Sequence, residues 1–421
     1  MLKTFIGITV FLVASILLLQ IDDEQDANAQ NFLKQDKVLP ESKAFLYLLG
    51  IEADKKESPL EVGKELLRII KDAENKYFSE GKPFDYSKYP KEKKLLLPYG
   101  KLFCASWNEG CIANRMLNKY DLDSIIKEHA TLLNRYHMFL GMDDYHTLTK
   151  PSLHLVLPPY EYIAKGNRLV ILKAISEAKK SNTGGATKIL MKNISLLRSQ
   201  LRQADTLISK LIYIMQISDN LDMLSVIVRE ADHSIDYSFD ELSLDERNFD
   251  MVMMREYLFT YDVVRNYDKY PSAIGEEEWE WPKWVIRMGL KPNMSLNALY
   301  HKYKRVQDLA RLEQKVFSKA VEDGEYIIPV TFYLRNYLGS ILLDSTEDIY
   351  GSYVARLFDL NAKFVLINEV LRSGSKAVNL SNINNPYYEN EIAYYSDDKK
   401  SICLRGPLND TRNIRCLRIN I

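Results

Sequence analysis

Apolar residues recur at Leu190, Ile194, Leu197, Leu201, Ala204, Ile208, Leu211 and Met215, in steps that alternate four and three. That is the helical period, and it puts these side chains on one stripe of a helix. Unbroken, the helix would run from Gly184-Gly185 to Asp222, where the pattern breaks, with apolar residues continuing to Val228. About forty residues at 1.5 Å each would make a rod of about 60 Å, so a kink or a split is expected. Leu207, Ile212, Tyr213 and Ile214 widen the apolar face beyond the narrow seam of a two-stranded coiled coil. A face this broad predicts packing inside an intramolecular helical bundle.

The same period recurs along the chain. Ser58-Pro59-Leu60-Glu61 combines an N-cap serine, a proline in the first turn and a glutamate placed to close a capping box. A helix is predicted from there to about Phe78. Further helices are predicted over 121–140 with Gly141 as the stop, from Pro159 to about Lys180, and from a second capping box at Ser243-Leu-Asp-Glu246 to about Tyr267. Residues 295–321 are apolar on one face, and over 350–371 Tyr353, Leu357, Leu360, Phe364, Ile367 and Leu371 repeat the four-three spacing. After Gly374 the character changes. The tail alternates Tyr and Ile with polar residues and is punctuated by Asp397-Asp398, Gly406-Pro407 and Asn409-Asp410, which predicts short strands. The expected fold is mainly α, a multi-helix bundle with a small C-terminal β-hairpin element.

Ahead of the bundle, the stretch from Phe5 to Leu19 carries no charge; Lys3 precedes it and Asp22-Asp23-Glu24 ends it. Such a run is at the top of the signal-peptide range and close to the length of a membrane helix. Its flanking charges send the rest of the chain out of the cytoplasm. Ala27-Asn28-Ala29 has the small-x-small form of a signal-peptidase site, but it lies well past the apolar run, across several acids. The expectation is an uncleaved signal-anchor over 1–21, seated in the inner membrane through residues 5–21. The alternative is cleavage after Ala29 to give a soluble periplasmic protein. A polar spacer over 22–57 with one apolar island at 44–51, a helical body over 58–374 and a tail over 375–421 complete the expected organisation.

Export gives the cysteines their meaning. Cys104, Cys111, Cys403 and Cys416 form two local pairs, and an even count in local pairs reads as disulfides in an oxidising compartment. Neither pair has the short knuckle spacing of a zinc site, and no signature of a catalytic thiol surrounds them. Cys104–Cys111 is expected to pin a proline-rich loop. Ile402-Cys-Leu-Arg and Arg415-Cys-Leu-Arg are near-copies that would pair antiparallel and set Cys403 across from Cys416.

With a net charge of −1 and no basic stripe, a nucleic-acid partner has no electrostatic support. Glycine-rich phosphate loops, G-x-S-x-G, H-E-x-x-H and the kinase motifs are missing from the sequence, and no cofactor is indicated. His129, His137, His146 and His154 cluster in sequence, but spacings of eight and nine do not bring two onto one helical turn, so they read as packing or surface groups. The stretch GEEEWEWPKW places Trp279, Trp281 and Trp284 beside Glu276, Glu277, Glu278 and Glu280. Indoles stack on sugars or anchor protein partners, and a glutamate against an indole favours its acid form. Trp279, Trp281, Trp284, Glu278 and Glu280 are therefore the candidate binding residues, against the plainer reading that the indoles close a core.

The function expected from these observations is that of a membrane-anchored protein of the bacterial envelope with a non-enzymatic binding or scaffolding role toward an envelope partner. A periplasmic cell-wall glycan hydrolase using the Glu/Trp cluster at 276–284 is the alternative. In a eukaryotic secretory setting, Asn193, Asn293 and Asn379 would instead head glycosylation motifs.

Overall fold

The computed structural model describes residues 4–6, 8, 19–34, 41–80, 84–108, 110–117, 119–231, 234–266, 288–323, 330–344, 349–374, 376 and 378–420. The described helices in the first half are α1 (Ala27–Leu33), α2 (Lys43–Leu49), α3 (Pro59–Glu80), α4 (Cys111–Met116), α5 (Leu122–Glu128), α6 (Ala130–Leu140) and α7 (Tyr160–Lys179). They continue as α8 (Thr183–Gln203), α9 (Leu207–Glu230), α10 (Asp250–Arg265), α11 (Pro292–Arg311), α12 (Gln314–Glu322), α13 (Val330–Arg335), α14 (Tyr337–Asp344) and α15 (Ile349–Ser373). Three short strands, β1 (Tyr394–Tyr395), β2 (Ser401–Cys403) and β3 (Cys416–Arg418), form an antiparallel sheet in that order.

The long stripe is split, as its length implied. Leu190, Ile194, Leu197 and Leu201 are fully buried on α8. The helix then ends at Ala204, whose backbone is extended. Thr206 opens α9 as its N-cap: its hydroxyl accepts from Ser209 N, and Ser209 Oγ accepts from Thr206 N. This reciprocal cap satisfies backbone donors that a continuous helix would have bonded internally. The break re-phases the pattern, so Ile208, expected on the buried stripe, is 42% exposed. Tyr213, Ile217, Leu221 and Leu224 are buried in its place.

Helix α9 packs against α7, α8 and α15 and also meets β3. Buried on nearly every side, it is the axis of the body. Among the described residues it is the one helix long and apolar enough to cross a membrane, yet 83% of that window is buried, as befits a core helix.

Elsewhere the local signals hold with adjustments. The predicted helix over 121–140 is two helices joined at His129. The capping box at Ser243 and Glu246 forms, with Ser243 N donating to Glu246 Oε2 at 2.7 Å, but it closes a turn. Arg198 takes the Glu246 carboxylate with Nε at 2.6 Å and Nη2 at 2.8 Å, holding that turn against α8, and the helix itself begins later, at Asp250. Residues 295–321 are likewise two helices, α11 and α12, broken around Leu312.

Two glycines allow close approach. A Cβ on Gly63 would lie 1.8 Å from Leu46 O, so α2 and α3 touch backbone to backbone. A Cβ on Gly166 would lie 2.6 Å from the Tyr136 ring, which rests directly on α7. The Tyr136 hydroxyl then reaches Asn167 Oδ1 at 3.2 Å and Asn193 Oδ1 at 3.0 Å, in a buried network with Asn220. Asn193 is thus a core residue, unavailable for glycosylation in this fold.

The stretch expected as a spacer carries two helices that pack into the body. Ala44 to Leu49 are all buried, because α2 lays its apolar island on α3 and α6. Helix α1 packs on α10 and α11, with Phe32 edge-on to Tyr257 and Tyr300. Just before it, the acidic cluster that ends the apolar run caps the start of α11. Asp22 Oδ2 accepts from Asn293 N at 2.9 Å and Asp22 Oδ1 from Met294 N at 3.1 Å. Arg335 donates to Ile21 O at 2.7 Å and pairs with Asp23 at 2.8 Å, while Asp26 N donates to Asn297 Oδ1. The described residues of the apolar run itself, Phe5, Ile6, Ile8 and Leu19, are exposed.

Candidate functional site

Cys104 is bonded to Cys111 and Cys403 to Cys416, with Cα atoms 5.9 Å and 4.1 Å apart. In the tail, β2 and β3 pair so that Cys403 faces Cys416 directly, the register expected from the near-identical sequences around them. In the first loop, Gly110 adopts the left-handed conformation (φ 69°) that turns the chain back into α4.

Although far apart in sequence, the two bridged elements meet. Between them lies a cleft of about 350 Å³, with Cys111 on one wall and Cys416 on the other. Trp107 comes from the first loop and Arg412 from the tail, with the guanidinium 5.3 Å from the ring centroid. Such a contact contributes about 0.5–1 kcal/mol at an exposed site. Asp222, Asp398, Lys400 and Arg418 also line the cleft.

Helix α9 holds both elements through polar residues one turn apart. Arg115 of α4 is fully buried and donates Nε to Leu102 O at 3.1 Å, Nη1 to Ser106 Oγ at 3.2 Å and Nη2 to Cys104 O, so it organises the first loop from inside. Burial pulls its guanidinium down to about 10, against the opposing charge of Asp219 on α9. Burial also raises the Asp219 carboxyl, countered by Arg115 and by a hydrogen bond from Ser106. One turn on, Asp222 Oδ1 accepts from Arg418 N of β3 at 2.9 Å and from Lys363 Nζ of α15 at 2.7 Å. Lys363 also reaches Ser218 Oγ at 2.8 Å. A second anchor joins the tail to α15, where Tyr387 donates to Asp359 Oδ1 at 2.6 Å and Arg415 Nε lies 3.5 Å from the same oxygen.

The carboxylates of the cleft are committed to structure. Asp222 is engaged by Lys363 and Arg418, and Asp398 accepts from Ser396 Oγ and Lys400 N, which hold it below the usual carboxylate range. An indole wall, a mixed-charge rim and a rigid disulfide frame suit binding of a polar ligand or a protein surface.

Trp279, Trp281, Trp284, Glu278 and Glu280 lie outside the described residues. The tryptophan that the fold does place in a cleft is Trp107, in the loop closed by the Cys104–Cys111 bridge. One signal could have found its setting: Ser218, Asp219, Asn220 and Asp222 interrupt an otherwise apolar helix, and buried polar residues need partners. Of the described histidines, His154 stacks on Phe84 at 4.8 Å and meets Tyr77 edge-on, whereas His137 and His301 are exposed. Among the described residues no group of three or more His, Cys, Asp or Glu is placed to hold a metal. Comparison with family models, with curated proteins and with solved structures finds no match.

Proposed function

We propose that the protein is an exported envelope protein held in the inner membrane by residues 5–21, N-terminus in the cytoplasm and body in the periplasm, where it binds or scaffolds an envelope partner without catalysing a reaction. The observation that carries this reading is the docking of residues 20–26 on α11 and α13: Asp22 caps α11, and Arg335 fixes both Ile21 and Asp23. An apolar run leashed to the body in this way suits a retained anchor better than a leader to be discarded. Cleavage after Ala29 would cut inside α1 beside a fully buried residue and would strip away Asp22, Asp23 and Asp26 with all their contacts. Two closed disulfides accord with an oxidising compartment. For the binding role, the cleft under Trp107 and Arg412 is the favoured contact region, since its carboxylates are already paired. The glycan-hydrolase alternative rests on Glu278 and Glu280, outside the described residues, and no observation favours it.

Carbonate washing and N-terminal sequencing test the anchor. Washed membranes should retain the protein at full length; a soluble form beginning at Gln30 would overturn the reading. Affinity capture from detergent-solubilised membranes, with wild type compared against Trp107→Ala, tests the binding role. Capture of the same proteins in the same amounts by both would exclude the cleft.

A further inference from the structure

Helices α13 and α14 present an inverted pattern. Phe332, Asn336, Ser340 and Leu343 face the body and are buried, whereas Leu334, Tyr337 and Ile341 point outward and are 72%, 64% and 48% exposed. The helical hydrogen bonds run through the junction, with Asn336 N donating to Phe332 O and Ser340 N to Asn336 O. The steps of three and four residues therefore place the exposed side chains on one stripe. Residues 336–343 carry no charge at all, unlike a surface helix built for water.

This stripe sits where the apolar N-terminal run joins the body. Asn336 Oδ1 accepts from Lys291 N at 2.8 Å and its Nδ2 donates to Ser295 Oγ at 2.8 Å, tying the α13–α14 junction to the start of α11. The same helix start is capped by Asp22, and Arg335, next to Leu334, holds Ile21 O. Leu19 and Ile21, at the end of the run, are themselves exposed.

We infer that the outward face of α13 and α14, formed by Leu334, Tyr337 and Ile341, rests on the bilayer surface from which the N-terminal run emerges. The inference builds on the anchored reading, and the docked segment is what commits the face to lipid. A run that enters the membrane from Leu19 leaves only a few residues between the bilayer and Arg335, so the neighbouring face is brought to the headgroup level. Aliphatic side chains with a tyrosine among them suit that level, where apolar groups sink shallowly and a phenol reaches water. The body would then stand in one fixed orientation on the membrane.

The test uses the full-length protein with Leu334→Cys, Tyr337→Cys or Ile341→Cys. Each is labelled with an environment-sensitive fluorophore without reduction, because all four native cysteines are bonded to one another. The protein is reconstituted in phosphatidylethanolamine/phosphatidylglycerol vesicles with its body outside, with shallow nitroxide-labelled lipid or aqueous iodide as quencher. Leu96→Cys, a highly exposed leucine far from these helices in sequence, is the comparison. Lipid nitroxide should quench labels at 334, 337 and 341 about twofold or more over the label at 96, with iodide giving the reverse order. Carbonate-resistant flotation with iodide quenching and no lipid quenching would overturn the inference and leave the anchor standing. Labels shielded from both quenchers would mean that protein, a second copy or a partner, covers the face. Equal lipid quenching at 96 would mean indiscriminate adsorption; either result also overturns it. Failure to float would remove the anchored reading itself.

Discussion

Lys363 and Asp222 offer a graded test of how the tail is held. The Lys363 side chain is 0% exposed, whereas Asp222 keeps 13% of its side-chain surface, opening into the cleft. Breaking a buried ion pair by removing one partner costs about 3–5 kcal/mol, because a charge is left behind without compensation. The two removals should therefore differ. Lys363→Met strands a carboxylate that still accepts from Arg418 N and can draw water from the cleft, which places the loss at about 2–3 kcal/mol. Asp222→Asn leaves the ammonium without a balancing charge in a fully enclosed site, with only the neutral oxygens of Ser218 and the new amide to accept from it, for a loss of about 4 kcal/mol or more. In the double variant no charge is stranded, so its loss should fall short of the sum by about 2 kcal/mol. Urea unfolding of the detergent-solubilised full-length protein, followed by circular dichroism, measures all three. Hydrogen exchange across β2 and β3 adds a local readout, since Asp222 accepts the Arg418 amide. Additive losses, or a larger loss from Lys363→Met than from Asp222→Asn, would refute the assignment of this pair as the buried joint.

Three further outcomes follow from the same packing. Cys104→Ser should raise hydrogen exchange over 101–116 and cost about 2–3 kcal/mol at most, with helicity nearly unchanged; non-reducing peptide mapping of the wild type should recover 104–111 and 403–416 linkages. Gly166→Ala should destabilise by about 2 kcal/mol or more by driving a methyl into the Tyr136 ring, whereas Gly184→Ala, with open space around it, should be neutral or slightly stabilising in thermal unfolding. Lys210, buried between Leu201 O and Glu246 O, has its ammonium pulled down to about 7 by burial, so above that pH the unfolded chain binds more protons than the native one. Its contribution to stability is therefore complete above about 10.5, is lost as pH falls toward 7, and amounts to at most about 5 kcal/mol; Lys210→Met should flatten the difference in stability between pH 7 and pH 9.5.

Local signals carried much of the architecture. The α8 stripe, the helix start at Pro59 and the antiparallel match around Cys403 and Cys416 are each written in residues close in sequence, where period and turn chemistry decide. Boundaries failed where tertiary partners intervened. Glu246 has the capping-box spacing, but Arg198 on α8 recruits its carboxylate and holds the segment as a turn. Ala204 continues the four-three rhythm, yet Thr206 and Ser209 supply a better set of backbone partners one step later, and the helix yields. The cleft was not legible, because its walls are contributed by Trp107 and Arg412, and no local pattern announces that they meet. Asp22-Asp23-Glu24 was legible as the end of an apolar run; that Asp22 is also the cap of α11 depends on a contact across 271 residues.

Such spans matter for the order in which the fold can be completed. The chain is made from its N-terminus, so Asp22 waits for Asn293, and Asp222 for Arg418 across 196 residues. Until then, α11 lacks its cap and α9 carries a carboxylate with no strand to receive. The first disulfide spans a loop short enough to close as soon as it emerges, but the second can lock β2 to β3 only after residue 416 has followed. A half-made chain therefore holds a sealed loop at one wall of the future cleft and an open apolar surface on α9 and α15 at the other. That surface is a hazard for an unfinished chain, and residues 401–418 are what finally cover it.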